Sequence, residues 1–207
     1  SSAQLFPDSS QGFIQGFFDD SYLYALLPDT ASLTLHNDSE SGFAWRGGDW
    51  ALMRYLGDQY GDAFFRAMEQ GPSDGPTAIA AATGQSFQTL FGNFGLALYT
   101  DSFPGLPRAT APAVDRFSTR NLRQIWARLY ATAGPSTTVP RAMPLQLFAL
   151  TTDTTTWEMS PGAMSFWRLD TPATSATVSI RFAAPGGGAV STALRPQVAI
   201  FRLPQGQ

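Results

Sequence analysis

The spacing of the apolar residues changes near residue 139, and this change limits the folds open to the chain. Before it, apolar side chains recur with the period of a helix, as in residues 87–98 and 122–130. After it, the period is close to two, as in residues 177–182, which is typical of a half-buried strand. Helices followed by strands predict the α+β class. We expect an N-terminal, mainly helical subdomain followed by a small antiparallel β-sandwich-like subdomain.

Three parts of the chain are predicted. Residues 1–42 are rich in Ser, Asp and Gly, and we interpret them as an irregular arm in which residues 22–27 form a helical turn or a short strand. Residues 43–138 are the helical subdomain, and residues 139–207 are the β-rich C-terminal subdomain. Turns at Pro161-Gly162 and at residues 186–188 separate strands predicted at residues 145–150, 164–169, 177–182 and 197–203.

Five helices are predicted in the helical subdomain. Ser86 is the candidate N-cap of the helix over residues 87–98. Gly92 and Gly95 lie inside that helix, and we expect them to allow close approach of another backbone. The other helices are predicted over residues 50–60 with Asp49 as N-cap, from Asp62 to Gly71, over residues 77–83 after Pro76, and from Ser118 or Thr119 to Gly134.

The composition excludes several classes of protein. The 207 residues include no cysteine, no lysine and one histidine, His36. Without cysteine, the chain has no disulfide, no thiolate metal site and no cysteine nucleophile. One histidine cannot supply the two histidines of a zinc-peptidase helix. A pI of about 5.0 argues against nucleic-acid binding, and no run reaches the ~18 apolar residues of a membrane span.

Charge is distributed unevenly along the chain. Residues 1–74 hold eleven acidic residues and three arginines, a net of −8, whereas residues 75–207 hold five acidic residues and ten arginines, a net of +5. Two interpretations follow: the two parts attract one another, or each presents a different face to a partner.

One motif is a candidate for a nucleophile. Residues 71–75, Gly-Pro-Ser-Asp-Gly, fit the G-x-S-x-G pattern, in which a strand before and a helix after the serine hold it on a strained turn. A helix is predicted before this motif, and His36 precedes the serine instead of following it. We therefore interpret the motif as a glycine- and proline-rich loop between helices.

His36 and two pairs of acidic residues are the other candidates for metal or acid–base chemistry. His36 is either a proton shuttle, a weak metal ligand or an ordinary surface residue. The acidic pairs Asp19/Asp20 and Asp58/Asp62 lack the spacing of an EF-hand loop. We interpret Asp58 and Asp62 as the polar end of one helix and the N-cap of the next. No catalytic residue, metal ligand or cofactor site is predicted.

Five residues are candidates for binding a partner. Arg120, Arg123 and Arg128 lie off the apolar face of the last predicted helix, and they either contact an anionic partner or form a solvated face. The other two candidates are Trp157 and Trp167, in a chain whose aromatic content is high, at 13%. Aromatic side chains are favoured at the centres of protein interfaces, although core packing is the alternative use.

Residues 48–61, GDWALMRYLGDQYG, followed by GQSF at residues 84–87 and Leu90-Phe91, resemble the region downstream of the zinc site in hyicolysin-type zinc metallopeptidases. In that family, a helix ending in RYL…YG precedes a short helix, a TG-x-SF turn and an amphipathic helix. The resemblance covers roughly residues 43–203. The H-E-x-x-H helix that binds zinc is absent, so the resemblance implies a C-terminal, non-catalytic region of such a peptidase.

Together, these features predict a non-catalytic structural or binding subunit in the periplasm or outside the cell. Its expected partners are proteins of a larger assembly, for which a membrane-embedded respiratory or photosynthetic complex is one host. The alternatives are a processed fragment of a zinc metallopeptidase and a carbohydrate-binding module that uses exposed tryptophans. A first residue of serine is interpreted as a sign of processing, either by signal-peptide removal or by cleavage of a longer precursor.

Overall fold

The computed structural model describes residues 9–35, 43–109, 111–149, 155–169 and 179–201, and these residues are mainly helical. The helices are α1 (Ser9–Leu26), α2 (Ala44–Tyr60), α3 (Asp62–Gln70), α4 (Gly75–Thr83), α5 (Phe87–Thr100) and α6 (Leu122–Ala133). The strands are β1 (Leu147–Ala149) and β2 (Phe166–Arg168), and single 3-10 turns lie at Ala113–Asp115 and Thr192–Leu194. None of the helices in these ranges is long and apolar enough to cross a membrane.

The predicted α+β fold, with an antiparallel β-sandwich-like subdomain after the helices, is wrong, because the described residues are mainly helical. Within the described ranges, β1 and β2 are the strands, and they pair in parallel as a two-stranded sheet. The described parts of two other predicted strands, residues 179–182 and 197–201, are irregular, and the rest of both stretches lies outside the described residues. Alternating apolar residues show that a stretch suits a strand, but they do not supply a neighbouring strand.

The irregular arm predicted for residues 1–42 is wrong over Ser9–Leu26, which is helix α1. The glycines of α1 lower its intrinsic helix propensity. Its stability comes from packing, because Phe18, Tyr22 and Ala25 are buried in the core next to α2. A helix of this kind depends on its tertiary contacts more than on its own residues, and a local pattern does not reveal it.

Two adjacent glycines allow α2 to cross close to α1. A Cβ added at Gly47 would overlap the backbone of Asp20 and Ser21, and one added at Gly48 would overlap the ring of Tyr24. Backbone atoms cannot move aside as a flexible side chain can. Glycine at position 47 is therefore required by the distance between the two helices.

The ends of the helices agree with the sequence prediction at some positions and differ at others. α2 begins at Ala44, so that Asp49 lies inside the helix and is not its N-cap. The predicted N-cap of α5 is confirmed, since the Oγ of Ser86 accepts a hydrogen bond from a first-turn backbone N–H at 3.1 Å. α6 begins at Leu122 and is capped by Asn121, not by Ser118 or Thr119 as predicted. Asn and Ser cap helices about equally well, so composition alone does not choose between them.

The C-terminal part of the chain packs on α5. Gly92 and Gly95 lie against the side chains of Gln197 and Met164. The sequence predicted that these glycines accommodate another backbone, and the structure shows side chains there instead. Both contacts hold irregular C-terminal segments on the helical core.

A second attachment joins the C-terminal part to the segment that follows α1. Three backbone hydrogen bonds connect residues 28–33 with residues 160–164, and the shortest runs from the N–H of Met164 to the carbonyl of Pro28 at 2.7 Å. The predicted turn at Pro161-Gly162 is present, with Gly162 at φ +68°. Backbone hydrogen bonds therefore join two segments that lie far apart in the sequence.

Candidate functional site

An aromatic cluster lies on one face of the two-stranded sheet. It consists of Phe148 on β1, Trp167 on β2 and Trp157 from the connection between the strands. The ring centroids of the two tryptophans are 4.3 Å apart, and Phe148 lies 5.2 Å from Trp167 and 6.0 Å from Trp157. The sequence selected both tryptophans as candidates, and the structure brings them together. The sequence did not identify Phe148, which contacts both tryptophans and is brought to Trp167 by the pairing of the two strands.

The register of the sheet explains why the cluster faces away from the core. Leu147 pairs with Phe166, and Phe148 pairs with Trp167 one residue further along. Successive side chains of a strand point to opposite faces. Phe166 stacks on Tyr99 of α5 at 6.0 Å and belongs to the inner face, so Phe148 and Trp167 belong to the outer face.

The outer face is apolar and partly open to solvent. Trp157 is 36% exposed, and Met159, two residues further along the chain, is 52% exposed. The Nε1 of Trp167 is buried and has no acceptor among the described residues. Buried tryptophan N–H groups usually find a partner, and an unsatisfied donor costs about 1–3 kcal/mol. The packing of the cluster therefore leaves the Nε1–H of Trp167 without a hydrogen-bond acceptor among the described residues.

The three candidate arginines do not share one surface. The guanidinium of Arg123 donates to the backbone carbonyls of Tyr99 and Asp101 and lies 5.3 Å from the ring centre of Phe103. Burial lowers the pKa of Arg123. Arg120 donates to the carbonyl of the residue before it, and Arg128 is exposed. The structure thus uses Arg123 to hold the end of α5, and Arg128 remains open to solvent.

A buried polar group that the sequence did not suggest lies beside Arg123. Asp101, only 4% exposed, follows α5 and forms an ion pair with Arg108 at 3.2 Å. Burial raises the pKa of Asp101, and Arg108 and nearby hydrogen-bond donors lower it to a smaller extent. The next residue, Ser102, has φ +57°. Because substrate cannot reach the enclosed carboxyl, we assign this group to the structure of the loop and not to catalysis.

The other sequence candidates have structural explanations or lie outside the described residues. Ser73 lies in the loop between α3 and α4, as the helix–loop–helix interpretation predicted. The carboxylate of Asp58 accepts hydrogen bonds from the backbone N–H groups of Ser118 and Thr119 at 2.8 and 3.1 Å. His36 is outside the described residues. Within the ranges that the structure covers, no cluster of acidic and histidine side chains is suited to a metal ion.

Comparisons with protein-family models, with curated proteins and with solved structures gave no match to this chain.

Proposed function

We propose that this chain is a non-catalytic structural or binding subunit that docks on a protein partner through the aromatic cluster. The observation that carries the proposal is the contact of Trp157 with Trp167 on the outer face of the sheet. Tryptophan is enriched among the residues that dominate binding energy at protein interfaces. The exposure of Trp157, at 36%, supports the same use, because it leaves part of the cluster accessible to a partner.

The chemistry available in the chain favours binding over catalysis. Its only histidine is His36, and it has no cysteine. Asp101, a carboxyl whose pKa is raised by burial, is enclosed by the loop that carries its partner Arg108. Descent from a hyicolysin-type peptidase that lost its zinc helix is part of the proposal, as is a location in the periplasm or outside the cell. A membrane-embedded assembly is the proposed class of host.

The orientation of the rings favours a protein over a sugar. The ring planes of Trp157 and Trp167 are inclined at 58°, whereas a flat sugar face is best matched by a coplanar platform of rings. The inclined pair offers no flat platform, and tryptophan is enriched among the residues that dominate binding energy at protein interfaces. A carbohydrate-binding module is therefore the second candidate, on the strength of the exposed tryptophan alone.

The experiment is native purification of the tagged full-length chain from its source, with mass-spectrometric identification of co-purifying proteins. We expect a stoichiometric partner with the original chain and its loss with Trp157→Ser. Val114→Ser is the matched control, because Val114 is also exposed, at 43%, and belongs to a different element. Circular dichroism of both variants verifies that they fold.

Two results would contradict this proposal. A chain that purifies only as a monomer removes the partner, and retention of the partner by Trp157→Ser removes the aromatic cluster from the interface. Binding of the isolated chain to polysaccharide beads, lost in Trp157→Ser, would favour the carbohydrate module. Zinc-dependent hydrolysis of casein would favour the peptidase fragment.

A further inference from the structure

Two stretches in the C-terminal part expose the side chains that their sequence pattern assigns to the inner face of a sheet. Ile180 and Phe182 in the first stretch are 39% and 57% exposed, and Val198 and Ile200 in the second are 56% and 81% exposed. In each stretch the apolar residues are two positions apart, which is the period of a strand. We call residues 179–184 and 189–201 the C-terminal arms.

Parts of the arms also lack backbone hydrogen bonds to other described residues. In residues 179–183 and 197–201, no backbone N–H forms a hydrogen bond to a backbone group of another described residue. Backbone donors and acceptors in folded proteins are normally paired. A strand-like pattern with unpaired backbone groups and exposed apolar side chains is what a segment presents before it adds to a sheet.

A tight turn joins the two arms. The N–H of Ala184 donates to the carbonyl of Gly188 at 2.9 Å, and Gly186 and Gly187 have φ angles of +84° and +85°. At the far end, Phe201 contacts Phe103 at 6.3 Å between ring centres. The arms are therefore held at the turn, at Phe201, and at Gln197, which lies against Gly92 of α5. What remains available is the set of exposed apolar side chains, Ile180, Phe182, Val198 and Ile200.

The charge of this region indicates the chemistry of its partner. Residues 171–207 contain three arginines, Arg181, Arg195 and Arg202, and no aspartate or glutamate. A segment with this charge is complementary to an acidic surface. A lipid surface fits less well, because backbone groups without partners are costly in an apolar bilayer, whereas a protein strand supplies both hydrogen bonds and side-chain contacts.

We propose that the C-terminal arms dock on an extended, acidic segment of a protein partner and become strands when they pair with it. This inference rests on the proposed function in one respect, since both need a protein partner, but it uses a surface separate from the aromatic cluster. Pairing satisfies the backbone of the arms, and the contact covers their exposed apolar residues. The arginines set the preference for an acidic segment.

The test compares hydrogen exchange of the full-length chain alone with that of the native assembly purified through its tag. We expect the amides of residues 179–183 and 197–201 to exchange at least about tenfold more slowly in the assembly, as paired strand amides do. Arg181→Glu weakens retention of the partner. Arg66→Glu leaves retention unchanged, because Arg66 is an exposed arginine on α3, away from the arms. Ile200→Ser tests the apolar contribution at a side chain too exposed to affect folding.

The outcomes separate this inference from the proposed function. Partner loss with Trp157→Ser but no protection of the arms overturns the inference and keeps the function. Protection of the arms from exchange, with no effect of Trp157→Ser on retention of the partner, keeps the inference and overturns the proposed function. A chain that is monomeric in its source overturns both. Binding of the purified chain to vesicles of phosphatidylcholine and phosphatidylglycerol, lost in Arg181→Glu, identifies a membrane surface and overturns the protein partner.

Discussion

Gly47→Ala adds one methyl group at the point where α2 touches the backbone of α1. The new Cβ would overlap the backbone of Asp20 and Ser21, so one helix must move away from the other. Overpacking of a core typically costs about 1–3 kcal/mol. A contact with backbone belongs at the upper end, about 3 kcal/mol, because no side chain can turn aside to relieve it.

Alanine also has a favourable effect, which must be subtracted. It stabilises a helix interior by about 1 kcal/mol relative to glycine. We therefore expect Gly47→Ala to lower the free energy of unfolding by about 2 kcal/mol. For a chain of this size, about 2–4 °C corresponds to 1 kcal/mol, which predicts a fall in the melting temperature of about 4–8 °C.

Gly16→Ala is the matched control. Gly16 lies in α1, and a Cβ added there meets no atom within 4 Å. This variant gains the helix propensity without the overlap, and we expect it to be about 0.5–1 kcal/mol more stable than the original chain. Urea unfolding followed by circular dichroism measures both variants. Equal or greater stability of Gly47→Ala would refute the close crossing of the two helices.

Three further predictions concern polar contacts. Ser86→Ala removes the N-cap of α5 and should lower the free energy of unfolding by about 1 kcal/mol in urea titrations; an unchanged midpoint would contradict the cap. Asp58→Ala removes the acceptor of the two N–H groups before α6 and should cost about 2 kcal/mol, with faster exchange of the amide of Thr119, whereas unchanged exchange would show that the contact is dispensable. Burial raises the pKa of Asp101, so the stability contributed by its protonated form is present at low pH and is lost as the pH rises through the folded-state pKa. The free energy of unfolding of Asp101→Asn should therefore change less than that of the original chain between about pH 4 and about pH 7. An identical pH profile of the two chains would show that Asp101 does not cause the pH dependence of stability.

Elements that depend on neighbouring residues could be predicted from the sequence. Ser86 and the apolar spacing after it define α5, because a cap and a helical period are local properties. The loop at residues 71–74 follows from Gly71 and Pro72. In contrast, α1 depends on the room that Gly47 leaves for it, and that contact joins residues far apart along the chain.

The sheet and the candidate site show the same division. The sequence predicts Trp157 and Trp167 as candidates, but the contact of Trp167 with Phe148 depends on the register of β1 and β2, which no local pattern specifies. Apolar residues alternate over residues 177–182, but the strand predicted there is wrong over the described residues 179–182, beside which the described structure has no partner strand. A period of two indicates that a segment is suited to a strand, but a sheet forms only when a second segment pairs with it.

The backbone hydrogen bonds between residues 28–33 and residues 160–164 have a consequence for the order of folding. During synthesis, the segment after α1 emerges early, but its hydrogen-bond partners are translated more than 120 residues later. Contacts of such sequence separation slow folding, because a long loop must close before they form. In the nascent chain, residues 28–33 therefore lack these backbone hydrogen bonds until residues 160–164 have left the ribosome. A chaperone or an early-binding partner has its greatest effect in that interval.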